Sequence, residues 1–171
     1  MLKRLFGREK APAEVKPTSG NQFAPGTQLP YDPNLIPRFE GHHQALFKLV
    51  AAIDKSVESQ SFDQLKKQLV TFRGALQEHL LEENLKLYVY LTRCLNHDPV
   101  NSQLVDGMKT EMNQIASKVV SFLNQFIEGH IGVDNIGKFS QEFERIKGVL
   151  SERIRREETS LYTLYLPPDS Y

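Results

Sequence analysis

Two stretches of this chain repeat each other at fixed distances, and that repeat limits the fold more than any other feature. Leu65, Leu69, Phe72, Leu76, Glu83, Leu87 and Tyr88 pair with Phe139, Phe143, Ile146, Leu150, Glu157, Leu161 and Tyr162 at a constant offset of 74. Gly74 pairs with Gly148 and Glu78 with Glu152 at the same offset. Upstream, His43, Leu46, Val50 and Ile53 pair with Met112, Ile115, Val119 and Phe122 at an offset of 69. Within each stretch the apolar residues recur every three or four positions, which is one face of a helix. The offsets differ by five, about the size of the segment Glu128–Gly132. These spacings predict two repeated helical hairpins, and so an all-α, up-down four-helix bundle.

Boundary signals agree. Asn34 is placed to cap the first helix, with Pro37 tolerated only in its first turn. Ser61 with Gln64 has the spacing of a capping box for the second helix, which should end near Asn96. Asp98-Pro99 reads as a cap and a first-turn proline for the third, with the face Leu104, Met108, Met112, Ile115, Val119, Phe122 and Phe126. The fourth should end before Pro167-Pro168. Pro12, Pro17, Pro25, Pro30 and Pro33 forbid a continuous helix upstream. Residues 1–33 are therefore expected to be a flexible, disordered arm, 34–166 the bundle, and 167–171 a tail.

Charge removes some function classes. Lys plus Arg and Asp plus Glu both number 21, and a balanced chain is a poor general nucleic-acid binder. Residues 1–30 carry a local excess of +3, and Leu2, Leu5 and Phe6 beside it suggest a weak membrane-surface contact. No apolar run is long enough to span a bilayer or to serve as a signal peptide, so a cytoplasmic protein is the expectation. Cys94 stands alone and can form no internal disulfide. No nucleophilic triad and no phosphate-binding glycine loop is present, and the chain is not expected to be an enzyme.

The informative residues are the polar ones on inward stripes: His43, His79, Glu83, Arg153 and Glu157. Burying such groups costs several kcal/mol unless they are paired or bound to a metal. His79 and Glu83, four apart, project from one helix face, a donor pair suited to iron, zinc or manganese. Met108 and Met112 read as core filler, His97 and His130 as helix-end and loop residues. Tyr88, Tyr90, Tyr162 and Tyr165 cluster at matching helix ends and read first as packing residues.

The segment His79-Leu80-Leu81-Glu82-Glu83-Asn84-Leu85-Lys86-Leu87-Tyr88 resembles the signature of hemerythrin-like (HHE) domains, and the likeness covers residues 34 to 166. In that family each hairpin supplies a histidine from its first helix, then a histidine and a glutamate four apart from its second. Together they hold a non-heme di-iron centre. The resemblance implies that His43, His79, Glu83 and Glu157 are metal ligands, with His42 an alternative that lies off the stripe. It also implies a degenerate second half. Met112 and Arg153 occupy the two histidine positions there, and only Glu157 is kept. A guanidinium cannot coordinate a metal, and a thioether is a poor ligand for oxidised iron. Arg153 should instead lie near Glu83 and Glu157, substituting for part of the metal's charge.

Three readings follow. The first is a regulatory or sensory module that has lost the full di-iron centre and keeps a single iron or no metal. The second is a functional iron protein that binds oxygen or nitric oxide. The third is a metal-free bundle that binds a signalling or transcription regulator, in the manner of bacterial anti-sigma regulators. A protein partner is expected in the first and third, and nucleic acid in none.

Overall fold

The computed structural model describes residues 22–171. The elements are α1 (Leu35–Glu58), α2 (Phe62–Glu82), a π-helical turn (Glu83–Tyr88) that runs into α3 (Val89–Cys94), α4 (Pro99–Glu128) and α5 (Ile136–Arg156). A second π-helical turn (Glu157–Leu161) and a 3₁₀ turn (Tyr162–Leu164) complete the last rod. Because α2, its π turn and α3 are continuous, there are four rods joined by short connections, the four-helix bundle that the spacings predict. The described residues contain no strand, and none of their helices is long and apolar enough to cross a membrane.

Capping separates the sound boundary signals from the misleading one. The Asp98 carboxylate accepts from the Asn101 backbone N–H at 3.0 Å, and Pro99 fills the first turn of α4. Ser61 does stand before α2, but its hydroxyl pairs with that of Ser59 at 3.0 Å and caps nothing. Asn34 likewise makes no side-chain cap; its N–H donates to Asp32 Oδ1 at 2.9 Å. The third rod's stripe also shifts by one at its start, where Val105 is 1% exposed and Leu104 is 37% exposed.

The core consists of two apolar blocks. One fills the end of the bundle near the α1–α2 and α4–α5 connections, with Ile53, Leu65, Leu69, Phe72, Phe122, Phe139 and Phe143. Its rings stack closely, Phe139 lying 5.5 Å from Phe122 and 5.4 Å from Phe143. The other block fills the opposite end, with Leu35, Phe39, Leu87, Tyr88, Tyr90, Leu91, Met108, Leu161 and Tyr165. Along three of the rods the blocks are separated by buried polar residues: His43 on α1, His79 and Glu83 on the second rod, Arg153 and Glu157 on the last.

Residues 22–33 differ from the flexible arm expected there. Phe23 and Pro30 form an antiparallel bridge, Gly26 takes the left-handed turn at φ +68°, and Ala24 is 1% exposed. Tyr31 stacks on Tyr165 at 5.0 Å, and the Asp32 N–H donates to the Tyr165 hydroxyl at 2.9 Å. The prolines do forbid a helix, but they permit this tight loop, and the tyrosines give it a surface to pack on. The tail is tied down as well, since the Leu166 N–H donates to the Tyr171 hydroxyl at 3.1 Å and the Tyr171 ring lies 6.5 Å from that of Tyr90. Residues 1–21, including Leu2, Leu5 and Phe6 of the expected membrane contact and most of the expected arm, lie outside the described residues.

The two serine and aspartate positions give a direct check. Asp98→Ala should lower the urea midpoint of unfolding, because it removes a cap that is made. Ser61→Ala should leave the midpoint unchanged, although both positions look alike in sequence.

Candidate metal centre

The two π-helical turns begin at Glu83 and at Glu157, positions 74 apart in the repeat. A π turn carries an extra residue and re-aims the side chains that enter it. Side chains serve carbonyls at both junctions. The Asn84 amide donates to the Leu80 carbonyl at 2.8 Å, and the Thr159 hydroxyl to the Arg155 carbonyl at 2.7 Å. The repeat thus extends from residue types to a shared backbone irregularity at the same glutamate.

His43, His79, Glu83, Arg153 and Glu157 are all buried. Three of them converge: one donor atom each from His43, His79 and Glu157 lie within 4.8 Å of one another. His43 Nε2 is 3.3 Å from His79 Nε2 and 3.3 Å from Glu157 Oε2. That separation is the edge of a tetrahedron built on metal–ligand bonds of about 2.0–2.1 Å. On the far side of its ring, His43 Nδ1 meets Glu158 Oε1 at 2.8 Å. A carboxylate there fixes the ring and its tautomer, as the outer partners of ligating histidines do. Tyr162 stacks on the same ring, with its hydroxyl 3.3 Å from Nε2.

Glu83 stands outside this donor group. Neither of its carboxylate oxygens has a hydrogen-bond partner. Burial, and then the neighbouring Glu157 charge, push its carboxyl well above the usual range, against the opposing pull of Arg153. The Tyr162 hydroxyl also pulls it down from close by, without the alignment of a hydrogen bond. His42, the alternative to His43, is half-buried, with its ring 5.7 Å from that of His79. It too lies outside the group.

Arg153 is 2% exposed, as its periodicity requires. Its Nε lies 2.8 Å from Glu157 Oε1, but the N–H is not aimed along the contact. The two form an ion pair without a hydrogen bond. Its outer nitrogens do better: one donates to the Tyr88 hydroxyl at 2.6 Å, the other reaches Glu111 at 3.5 Å. Glu111 is held in turn by Arg156 at 2.7 Å. The guanidinium therefore answers mainly to Glu157, Tyr88 and Glu111. Glu83 feels it only through space.

Two imidazoles side by side are shifted in opposite directions. Burial, then the charge of His43, lowers His79 to about 4, so it is neutral near pH 7. For His43 burial also favours the neutral ring, but hydrogen bonds to Glu157 and Glu158 outweigh it and raise its pKa. A cavity of about 100 Å³ opens beside this layer. Leu46, Val50, Phe72, Leu76, Met112 and Leu150 line it, with His43, His79, Arg153 and Glu157 on its polar side.

The family model for the hemerythrin HHE cation-binding domain matches residues 34–165. The chain belongs to that family. No curated protein and no solved structure matches it. Within this hemerythrin HHE domain the two half-sites test differently for metal. The first offers two imidazoles, which lie at ligand separations with Glu157 of the second half. The second offers Met112, a thioether, and Arg153, whose cation already sits against Glu157. A dinuclear centre does not fit these residues, and a single ion does.

Sequence reading missed Glu158, Glu111 and the polar role of Tyr88. The pairing of Tyr88 with Tyr162 in the repeat was the available signal for the tyrosine. Glu158 carried none, because only the π turn brings it onto His43.

These contacts make opposite predictions for the two charges of the layer. Arg153→Met strands Glu157 and should cost about 3–5 kcal/mol in a urea titration of metal-free protein. Glu83→Gln replaces a carboxyl that makes no hydrogen bond and whose charged form burial disfavours, and should cost under about 1 kcal/mol. Equal losses at the two positions would contradict the partner assignment.

Proposed function

We propose that the protein is a hemerythrin-like regulatory or sensory module that holds one metal ion, iron in the first instance, through His43, His79 and Glu157. Glu83 lies nearby, a carboxyl without a hydrogen-bond partner. The observation that carries the reading is the position of Arg153. It supplies a fixed cation in the half-site where the family's second metal would bind, and it engages the glutamate that the second half keeps. Bound metal would supply a Lewis-acidic centre in a dry layer, able to take a small ligand or to register its own presence. The residues of the chain do the rest. Glu158 orients His43, Tyr162 packs on its ring, and the 100 Å³ cavity limits what can approach. The reading is of a binding module. Its output is a protein partner that senses metal or ligand occupancy.

The loss of the second half-site disfavours an oxygen carrier of the di-iron type. Purified protein grown with iron should contain no more than one ion per chain and lack the absorption of an oxo-bridged diferric pair. Two irons per chain would overturn the proposal. Titration with ferrous or zinc ion should saturate at one equivalent, and His43→Ala or His79→Ala should abolish it. Glu158→Gln should weaken binding about 10- to 100-fold while leaving the fold intact, as loss of an outer partner does.

The repeat offers a constructive test. Met112→His with Arg153→His restores the family's ligand types and removes the competing cation. The double variant should bind a second ion and gain thermal stability on adding ferrous iron, since a ligand of the folded state alone stabilises it. Each single change leaves the set incomplete and should do much less. Equal melting temperatures with and without iron, in a folded double variant, would show that the helices are not in the register of a dinuclear site.

A further inference from the structure

The outward face of the second rod carries an apolar line that its own fold does not cover. Leu81, Leu85 and Val89 are 61%, 60% and 37% exposed. They are four residues apart, a spacing that in a regular α-helix drifts around the axis by about 80° over two steps. Here the π turn at Glu83–Tyr88 lies within the line. Its wider turn takes up that drift, so the three side chains stay on one side of the rod.

The line is flanked by opposite charges. Glu78 lies one turn before Leu81, and Arg93 one turn after Val89. Both are exposed, and among the described residues neither has an ionic partner. The ends are therefore acid and base, with Leu85 near the midpoint. A face of this kind is complementary to itself when turned end for end. Leu81 meets Val89 of a second copy, Leu85 meets Leu85, and each Glu78 reaches the other copy's Arg93. That is the isologous arrangement of a two-fold dimer.

We propose that the protein self-associates through this face, with the rods of two copies antiparallel about an axis at Leu85. The argument is independent of metal binding. It rests on the uncovered line and on the symmetry of the two unpaired charges. Glu78 lies seven residues before Leu85 and Arg93 eight after it, so acid and base fall at nearly equal distances from the axis.

Sedimentation equilibrium of the full chain, over a wide concentration range, tests this. The wild type should show a monomer–dimer equilibrium. Leu85→Glu should weaken it about a hundredfold or more, since two leucines lose their burial at the axis. Its circular dichroism should be unchanged, because Leu85 is exposed in the monomer. Glu78→Arg alone and Arg93→Glu alone should each weaken it about tenfold through two like-charge contacts. The two together should restore it to near the wild-type value. A wild type that stays monomeric at its highest soluble concentration would overturn the proposal. So would a dimer indifferent to Leu85→Glu, or a charge-swapped pair no better than either single change.

Discussion

Everything in this bundle is arranged around one buried guanidinium. Arg153 cannot shed its charge, so the fold must answer it wherever it lies. It lies between two apolar blocks, in a layer that also holds two carboxylates and two imidazoles. Glu157 supplies the nearest opposite charge, Tyr88 a hydrogen bond, and Glu111 a link toward solvent. His43 is drawn to what remains of Glu157 and to Glu158. His79, left without an anion of its own, is held neutral, and the Glu83 carboxyl is pushed well above its usual range. The shifts within the layer thus follow from burial first and from the carboxylates of Glu157 and Glu158 second, with Arg153 pulling against burial at Glu83.

The π turns are the second organising element. Each sits where a glutamate must enter the layer from the end of a long helix. An α-helical continuation would carry the following residues around by another phase. With the wider turn, Glu157 and Glu158 reach the two ring nitrogens of one histidine, Nε2 at 3.3 Å and Nδ1 at 2.8 Å. Neighbouring side chains seldom serve opposite edges of one ring, and the backbone irregularity makes it feasible here.

Much of this was legible in the sequence, for a physical reason. Burial in a bundle follows a period, so Ile53, Leu76, Phe143 and the inward position of Arg153 could be read from spacing alone. Identity by period also placed His43, His79, Glu83 and Glu157 in one layer. Partner choice within the layer could not be read in the same way. The sequence suggests that Arg153 bridges Glu83 and Glu157, whereas Glu83 is left without a hydrogen bond. The difference arises from a wider backbone turn, which shifts side chains by about an ångström or two and has no signature in residue types. Ser61 shows the same limit at a helix end, where a hydroxyl chose a neighbouring hydroxyl over the backbone. Residues 22–33 show it in a loop: composition reads proline as disorder, while Tyr31 and Ala24 decide the matter by packing.

A metal ion can be withheld, chelated or oxidised; a side chain cannot. By placing Arg153 against Glu157, the second half of the layer carries its cation from the moment of synthesis, in every copy and under every supply of iron. The bundle therefore need not wait for a cofactor to complete its core. On the single-ion reading proposed above, scarcity of metal would leave the Arg153–Glu157 ion pair in place. On that reading, availability of metal and integrity of the scaffold would be separate variables. A protein in which they are separate can be emptied and refilled repeatedly without being remade.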